Sequence, residues 1–146
     1  MIGLEPVLAL LAEARIMTLA TLDPDGAPRA TPLYFVPDRT GRLLYLSDPE
    51  AQHSRNLHSH PQAAIAIYPY EADWRALRGL QMKGTVLQLD DASARNALSL
   101  YRRRFPFIDQ LAAAMQSSVV FRFTPTWVRL IDNRREFGFQ QEWLLA

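Results

Sequence analysis

Apolar and polar positions alternate through short stretches of this chain, and turn-forming residues separate those stretches at close intervals. The first regular piece is different. Leu4 to Ala14 carries VLALLA with the spacing of an amphipathic helix, and Pro6 sits near its start. After it, IMTLATL, PRATPLYFV and RLLYLSD read as three strands, joined by the turn chemistry of Asp23–Gly26 and Asp38–Gly41. Hairpins in such quick succession predict an antiparallel meander, and from it a small barrel or sandwich rather than a parallel α/β sheet.

The segment from about Glu50 to His58 reads as a short helix opening on a carboxylate, and Ala63 to Tyr68 as the next strand. Residues 69–76 form a polar and aromatic loop. RGLQMKGTVLQLD is a long strand in which Gly79 and Gly84 mark bulges or close backbone approach. DDASARNALSLYRRRF is a helix with acidic residues at its start and Arg102, Arg103 and Arg104 at its end, broken by Pro106. IDQLAAAMQ makes a second helical piece, SVVFRFT and TWVRLID two more strands, and FGFQQEWLL is placed to close the sheet. With no internal repeat or linker, residues 1–146 read as one mainly β domain: an antiparallel barrel of six or more strands with flanking helices.

Composition narrows the function. A chain of 146 residues can bury a sizeable core without staples. Cysteine is absent, which removes disulfides, thiolate metal sites and cysteine nucleophiles, and makes the cytoplasm the expected compartment. The N-terminal apolar run is too short for a membrane span and lacks a basic leader. Sixteen basic residues against fifteen acidic leave a formal charge of +1, so no global field recruits nucleic acid or an anionic membrane. Any anion site must be local. No GxSxG, HExxH, P-loop or GxGxxG occurs, so hydrolase and nucleotide-triphosphatase readings lack their chemistry.

The local chemistry gathers between Leu43 and Ile67. A strand ending in Ser47 and Asp48 feeds a helix carrying His53 and Arg55, a combination of hydroxyl, backbone N–H and cation that suits a phosphate; a solvated helix face is the plain alternative. The three histidines, His53, His58 and His60, lack zinc-type spacing, so no metal is expected. Lys83, the only lysine, stands on a barrel strand facing either solvent or a lined cavity. The arginine run at 102–104 reads as cations at a helix C-terminus or as an anion-binding edge, and Asp132, Asn133, Arg134 and Arg135 as a polar turn.

The succession ATLDPDGAPRATPLYFV, LLYLSD, a cationic helix, NLHSHPQAAIAIY and RGLQMKGTV resembles the pyridoxamine 5'-phosphate oxidase-related flavin proteins, which share the FMN-binding split barrel. LRGLQMKGTV, YRRRFP, and IDN followed by FGF and EW are similar to the small YhbP-like branch. The resemblance implies a homodimer with FMN at the subunit interface and a flavin-dependent oxidoreductase acting on an unknown small molecule, with no side chain required as catalyst. It implies cofactor contacts from Thr31, Leu46, Ser47, Gln52, His53, Arg55 and Lys83. Thr31, Val36, Gln52 and His53 fall where the oxidase itself carries cations, and its C-terminal Arg-x-His is missing, so vitamin B6 oxidation is not expected. Two other readings stay open: a haem-binding or haem-degrading split barrel, and a cofactor-free binding or regulatory protein. Because both sit on what reads as an exposed helix face, His53 and Arg55 are expected to be replaceable by Ala without loss of the fold, and a protonated His53 to favour the phosphate.

Overall fold

A computed structural model describes residues 3–145. Among them are three α-helices, α1 (Glu5–Glu13), α2 (Gln52–Ser59) and α3 (Asp91–Arg104). The strands are β1 (Ile16–Leu22), β2 (Pro28–Tyr34), β3 (Val36–Pro37), β4 (Leu43–Ser47), β5 (Gln62–Ile67), β6 (Arg78–Gln88), β7 (Val119–Asp132) and β8 (Gln140–Leu144). They form one antiparallel sheet in the order β2-β1-β5-β6-β7-β4-β3, with β8 added to β7, curled into a half-barrel flanked by the helices.

The curl follows from β7. Its fourteen residues serve two neighbours on one side, β4 along the first part and β8 along the last, while β6 runs beside almost all of it. TWVRLID and SVVFRFT, expected as two strands, are therefore one. Pro125 does not break it, because the strand bulges there: Gly84 pairs with Pro125 and Lys83 with Trp127, leaving Thr126 as an extra residue. That insertion shifts the buried positions from Phe121, Phe123 and Pro125 to Val128, Leu130 and Asp132. A Cβ on Gly84 would lie 2.1 Å from the Thr124 carbonyl oxygen, so only glycine lets the strands approach this closely. PRATPLYFV divides as well. Phe35, fully buried, turns the chain out of the edge strand β2, where Pro32 needs no outer partner, and into the short β3.

Two cores result. Inside the half-barrel, Leu4 and the α1 residues Val7, Leu10 and Leu11 pack on Met17, Leu19, Tyr45, Met82, Phe123 and Leu130. On the other face of β4 and β7, Leu44 and Val120 meet Ala97, Tyr101 and Phe105 from the α3 region. Pro106–Leu111 form a 3-10 helix, which overlaps only the start of the second helical piece expected over IDQLAAAMQ; residues 112–117 are turns. Arg104 ties the two layers. Its guanidinium donates to the carbonyls of Leu11, at 3.0 Å, and Ala14 at the end of α1, and lies over the Phe35 and Phe105 rings. Burial, helped by the charge of Arg15, lowers its pKa to about 10. The run at 102–104 thus holds one internal anchor, while Arg102 makes a 3.4 Å surface pair with Asp109.

Candidate functional site

The end of β4 turns into α2 through Asp48, whose carboxylate accepts the Glu50 N–H at 2.8 Å and whose carbonyl accepts the Ala51 N–H and the Ser54 hydroxyl. α2 consequently begins after Ala51, with no side-chain cap and no acidic residue in its first turn, not on Glu50 as expected. An uncapped first turn leaves backbone N–H groups available to an anion.

The buried face of this helix is polar. Ser47 Oγ lies 2.6 Å from His53 Nε2, and both residues are buried. His53 is therefore not on an exposed helix face, which corrects the expectation from sequence: α2 buries His53, Ser54, Asn56 and Leu57 against the sheet and leaves Arg55 and His58 outside. Burial lowers the His53 pKa below the ordinary imidazole value, and the nearby Arg29 charge lowers it further. Both effects favour the neutral imidazole, opposite to the protonated partner expected.

Around this pair runs a chain of polar contacts. Arg55 Nη2 donates to Gln52 Oε1 at 2.6 Å, Gln52 Nε2 to Asn56 Oδ1 at 2.8 Å, and Asn56 Nδ2 to Asp23 Oδ1 at 2.8 Å and Thr21 Oγ1 at 3.1 Å. Asp23 in turn receives Arg29 through Nε at 2.7 Å and Nη2 at 3.1 Å. The Arg29 hydrogen bond, then that of Asn56, holds the Asp23 carboxyl below its ordinary pKa. The chain thus ends in two guanidinium groups: Arg29, whose charge reaches His53, and Arg55 on the exposed side of α2.

The structure brings Ser47, Gln52, His53 and Arg55 together, with Thr31 on the β2 face that also carries Arg29. Leu46 points the other way and packs on the second core, as does the buried Val36. Lys83 stands apart too. It lies on the outer face of β6, three strands from β2 through the pairs Lys83–Ala64, Ala64–Ala20 and Ala20–Ala30, roughly 14 Å across the sheet. Its ammonium sits 5.0 Å from the Trp127 ring centroid. Arg29, Asp23 and Asn56 were missed from sequence. The period of two along β2 was the available signal, because Arg29 shares a face with Thr31.

Two open clefts of about 430 and 420 Å³ adjoin on the outer face of the sheet, sharing Ala20, Ala64 and Lys83. A larger one, about 680 Å³, lies beside α2 with Arg55 and His58 at its rim and Leu57, Val86 and Phe121 in its lining. Among the described residues, no group of three or more His, Asp or Glu is placed to hold a metal ion, and no helix is long and apolar enough to cross a membrane.

A family model described as pyridoxamine 5'-phosphate oxidase matches residues 4–132. The chain belongs to that family. It is 31% identical over 101 residues to the protein YhbP of Escherichia coli O157:H7, a match covering 68% of this chain and 64% of that protein. Against YhbP of Escherichia fergusonii it is 26% identical over 136 residues, 92% of this chain and 88% of the relative. Against the pyridoxine/pyridoxamine 5'-phosphate oxidase of Azorhizobium caulinodans it is 33% identical over 79 residues, 53% of this chain and 35% of that enzyme. Solved structures share the fold. HutZ, the haem storage protein of Vibrio cholerae, superposes with a TM-score of 0.71 at 23% identity, covering 97% and 94% of the two chains. A haem-binding protein of Mycobacterium smegmatis gives 0.77 at 22%, covering 92% and 55%, and an FAD-binding protein of Mesorhizobium loti 0.67 at 18%, covering 86% and 89%.

Proposed function

We propose that the protein binds FMN, its phosphate held where β4 meets α2, and works as a flavin-dependent oxidoreductase on a small molecule. The observation that carries this reading is a buried Ser47–His53 pair beside an uncapped helix start, with Arg29 and Arg55 at the two ends of the adjoining polar chain. A phosphate monoester needs hydroxyl and N–H donors together with cationic charge, and these residues fit it. FMN supplies the electron-transfer chemistry when bound. The chain's own part is binding and orientation. Arg29 and Arg55 neutralise the phosphate, Ser47 holds His53 in place, and the Asp23–Asn56–Gln52 chain fixes the direction of both guanidinium groups. His53 contributes a neutral imidazole rather than a charge.

A second copy covers the outer sheet face in this proposal. Thr18, Ala20, Ala64 and Ala66 are small there, while Ile16, Leu22 and Tyr68 are large, apolar and exposed, the mixture of a close-packed interface. In such a dimer Lys83, out of reach of its own chain's phosphate cluster, is available to the partner's cofactor.

The absorption spectrum of freshly purified protein, followed by FMN titration, tests the reading. Flavin bands are expected, with Arg29→Ala and Arg55→Ala each weakening FMN roughly tenfold to a hundredfold and leaving riboflavin affinity unchanged. If both variants hold FMN as tightly as wild type, the phosphate lies elsewhere. Sedimentation should give a dimer at micromolar concentration that Ala64→Arg separates. A monomeric wild type removes the shared site. The second reading is haem binding, favoured by His58 and Arg55 at the rim of the cleft beside α2. It predicts a Soret band on haemin addition that His58→Ala abolishes.

A further inference from the structure

At the far end of β6 from α2, a cleft of about 380 Å³ opens between α1 and the turn that follows β7. Arg78 and Leu87 lie near the two ends of that strand, so this cleft is roughly 30 Å from the phosphate cluster. One wall is apolar, from Ala9 and Leu10. The other carries Arg78, Arg134 and Arg135 together with Asp132.

The charges here do not cancel. Arg134 grips the buried Asp132 carboxylate through Nε and Nη2, both at 3.0 Å, and Asp132 also accepts the Arg134 backbone N–H at 3.0 Å, which makes the turn rigid. Arg78 pairs with Glu13 at the end of α1. Those two pairs use both carboxylates. Arg135 makes no side-chain hydrogen bond among the described residues, yet it is held in place over the Phe139 ring at 4.7 Å. An oriented guanidinium with no hydrogen-bond acceptor, near only the Asp132 carboxylate that Arg134 already grips and beside two more arginines of the same cleft, is a fork awaiting an oxyanion.

We propose that this cleft is a second binding site, taking a phosphate or carboxylate group of a small molecule, with Arg135 as its principal contact. It does not depend on the flavin reading, because no residue is shared with the α2 cluster. Arg78 contributes the nitrogens that Glu13 leaves, and the apolar wall strengthens the attraction by limiting solvent. Asp132 is the repulsive element. It keeps Arg134 occupied and favours a compact anion reached mainly through Arg135.

Backbone amide NMR of the full chain, titrated separately with inorganic phosphate and with succinate, tests the proposal and distinguishes the two sources of oxyanion. Saturable shifts are expected at Ala9, Leu130, Arg134 and Arg135 with at least one of them. Arg135→Ala should weaken that binding about tenfold without moving the response of the Gln52–Arg55 amides, and Arg135→Lys should restore part of it. Arg135 is exposed, so the fold survives either change. If neither anion produces saturable shifts in this cleft, or Arg135→Ala binds as wild type does, the proposal is overturned. Phosphate shifts confined to α2 likewise overturn it while leaving the flavin reading intact.

Discussion

His53→Ala is the sharpest perturbation of the site. His53 is 9% exposed and Ser47 8%, and their polar atoms meet at 2.6 Å. Removing the imidazole leaves the buried Ser47 hydroxyl without its partner, which costs about 1–3 kcal/mol with the lost hydrogen bond included. A total near 2 kcal/mol lowers the melting temperature by roughly 4–8 °C for a chain of this size. The pH dependence adds a second signature. The folded-state pKa is lowered, so the folded protein resists protonation more than the unfolded chain does. The stabilisation is fully present above the unfolded value of about 6.5 and diminishes as pH falls from there toward the folded value. Urea unfolding of wild type and His53→Ala at pH 7.5 and 5 isolates this, because titrations common to both cancel. The gap should be near 2 kcal/mol at pH 7.5 and narrower at pH 5. A gap under 0.5 kcal/mol, or one that widens on acidification, refutes the buried neutral pair. Ser47→Ala completes a double-mutant cycle, in which the coupling measures the contact itself.

Three further outcomes follow from the same reasoning. Gly84→Ala drives a Cβ against the Thr124 carbonyl oxygen at 2.1 Å, and unfolding should show a loss of about 3 kcal/mol, against about 1 kcal/mol for Gly79→Ala, whose tightest contact is 3.1 Å to the Ile67 oxygen. Similar losses at the two positions contradict the bulge argument. Arg104→Met retains the packed stem but deprives the Leu11 and Ala14 carbonyls of a charged donor, so it should cost about 1.5–3 kcal/mol, whereas Arg102→Met stays within about 0.5 kcal/mol. Asp132→Asn weakens the grip of Arg134, whose hydrogen bond chiefly holds the Asp132 carboxyl below its ordinary pKa. The stability gap to wild type should persist from neutral pH down to about 4 and close as pH falls further through the folded value, measured by thermal unfolding across pH 3–7.

Alternation and turn residues made the meander legible, since they report local geometry: β1, β4, β5 and β6 fall close to where IMTLATL, RLLYLSD, Ala63–Tyr68 and RGLQMKGTVLQLD place them. The failures occur where a distant partner decides. Whether Pro125 ends a strand or sits in a bulge depends on Gly84 across the ladder, forty-one positions away in sequence. Whether three arginines at a helix end face water or protein depends on α1, which reaches Arg104 from the opposite terminus.

The site itself was half legible for a related reason. Ser47, Gln52, His53 and Arg55 are adjacent in sequence and were found together. α2 is short and polar, however, and a polar helix presents no apolar stripe to show which side faces in. Its buried face is defined instead by hydrogen-bond partners on other elements: Thr21 on β1, Asp23 in the turn after it, and Ser47 at the end of β4. A polar residue can be buried at little net cost when such partners await it. Sequence periodicity records hydrophobicity and not partnership, so His53 reads as surface and Asn56 goes unnoticed. The distinction bears on function. Because His53 is buried and neutral, the positive charge at this end of the barrel rests on Arg29 and Arg55, each fixed through the Asp23–Asn56–Gln52 chain. If this end holds the phosphate as proposed, Asn56→Leu should loosen FMN, measured by titration, through both arginines at once, although Asn56 contacts neither of them directly.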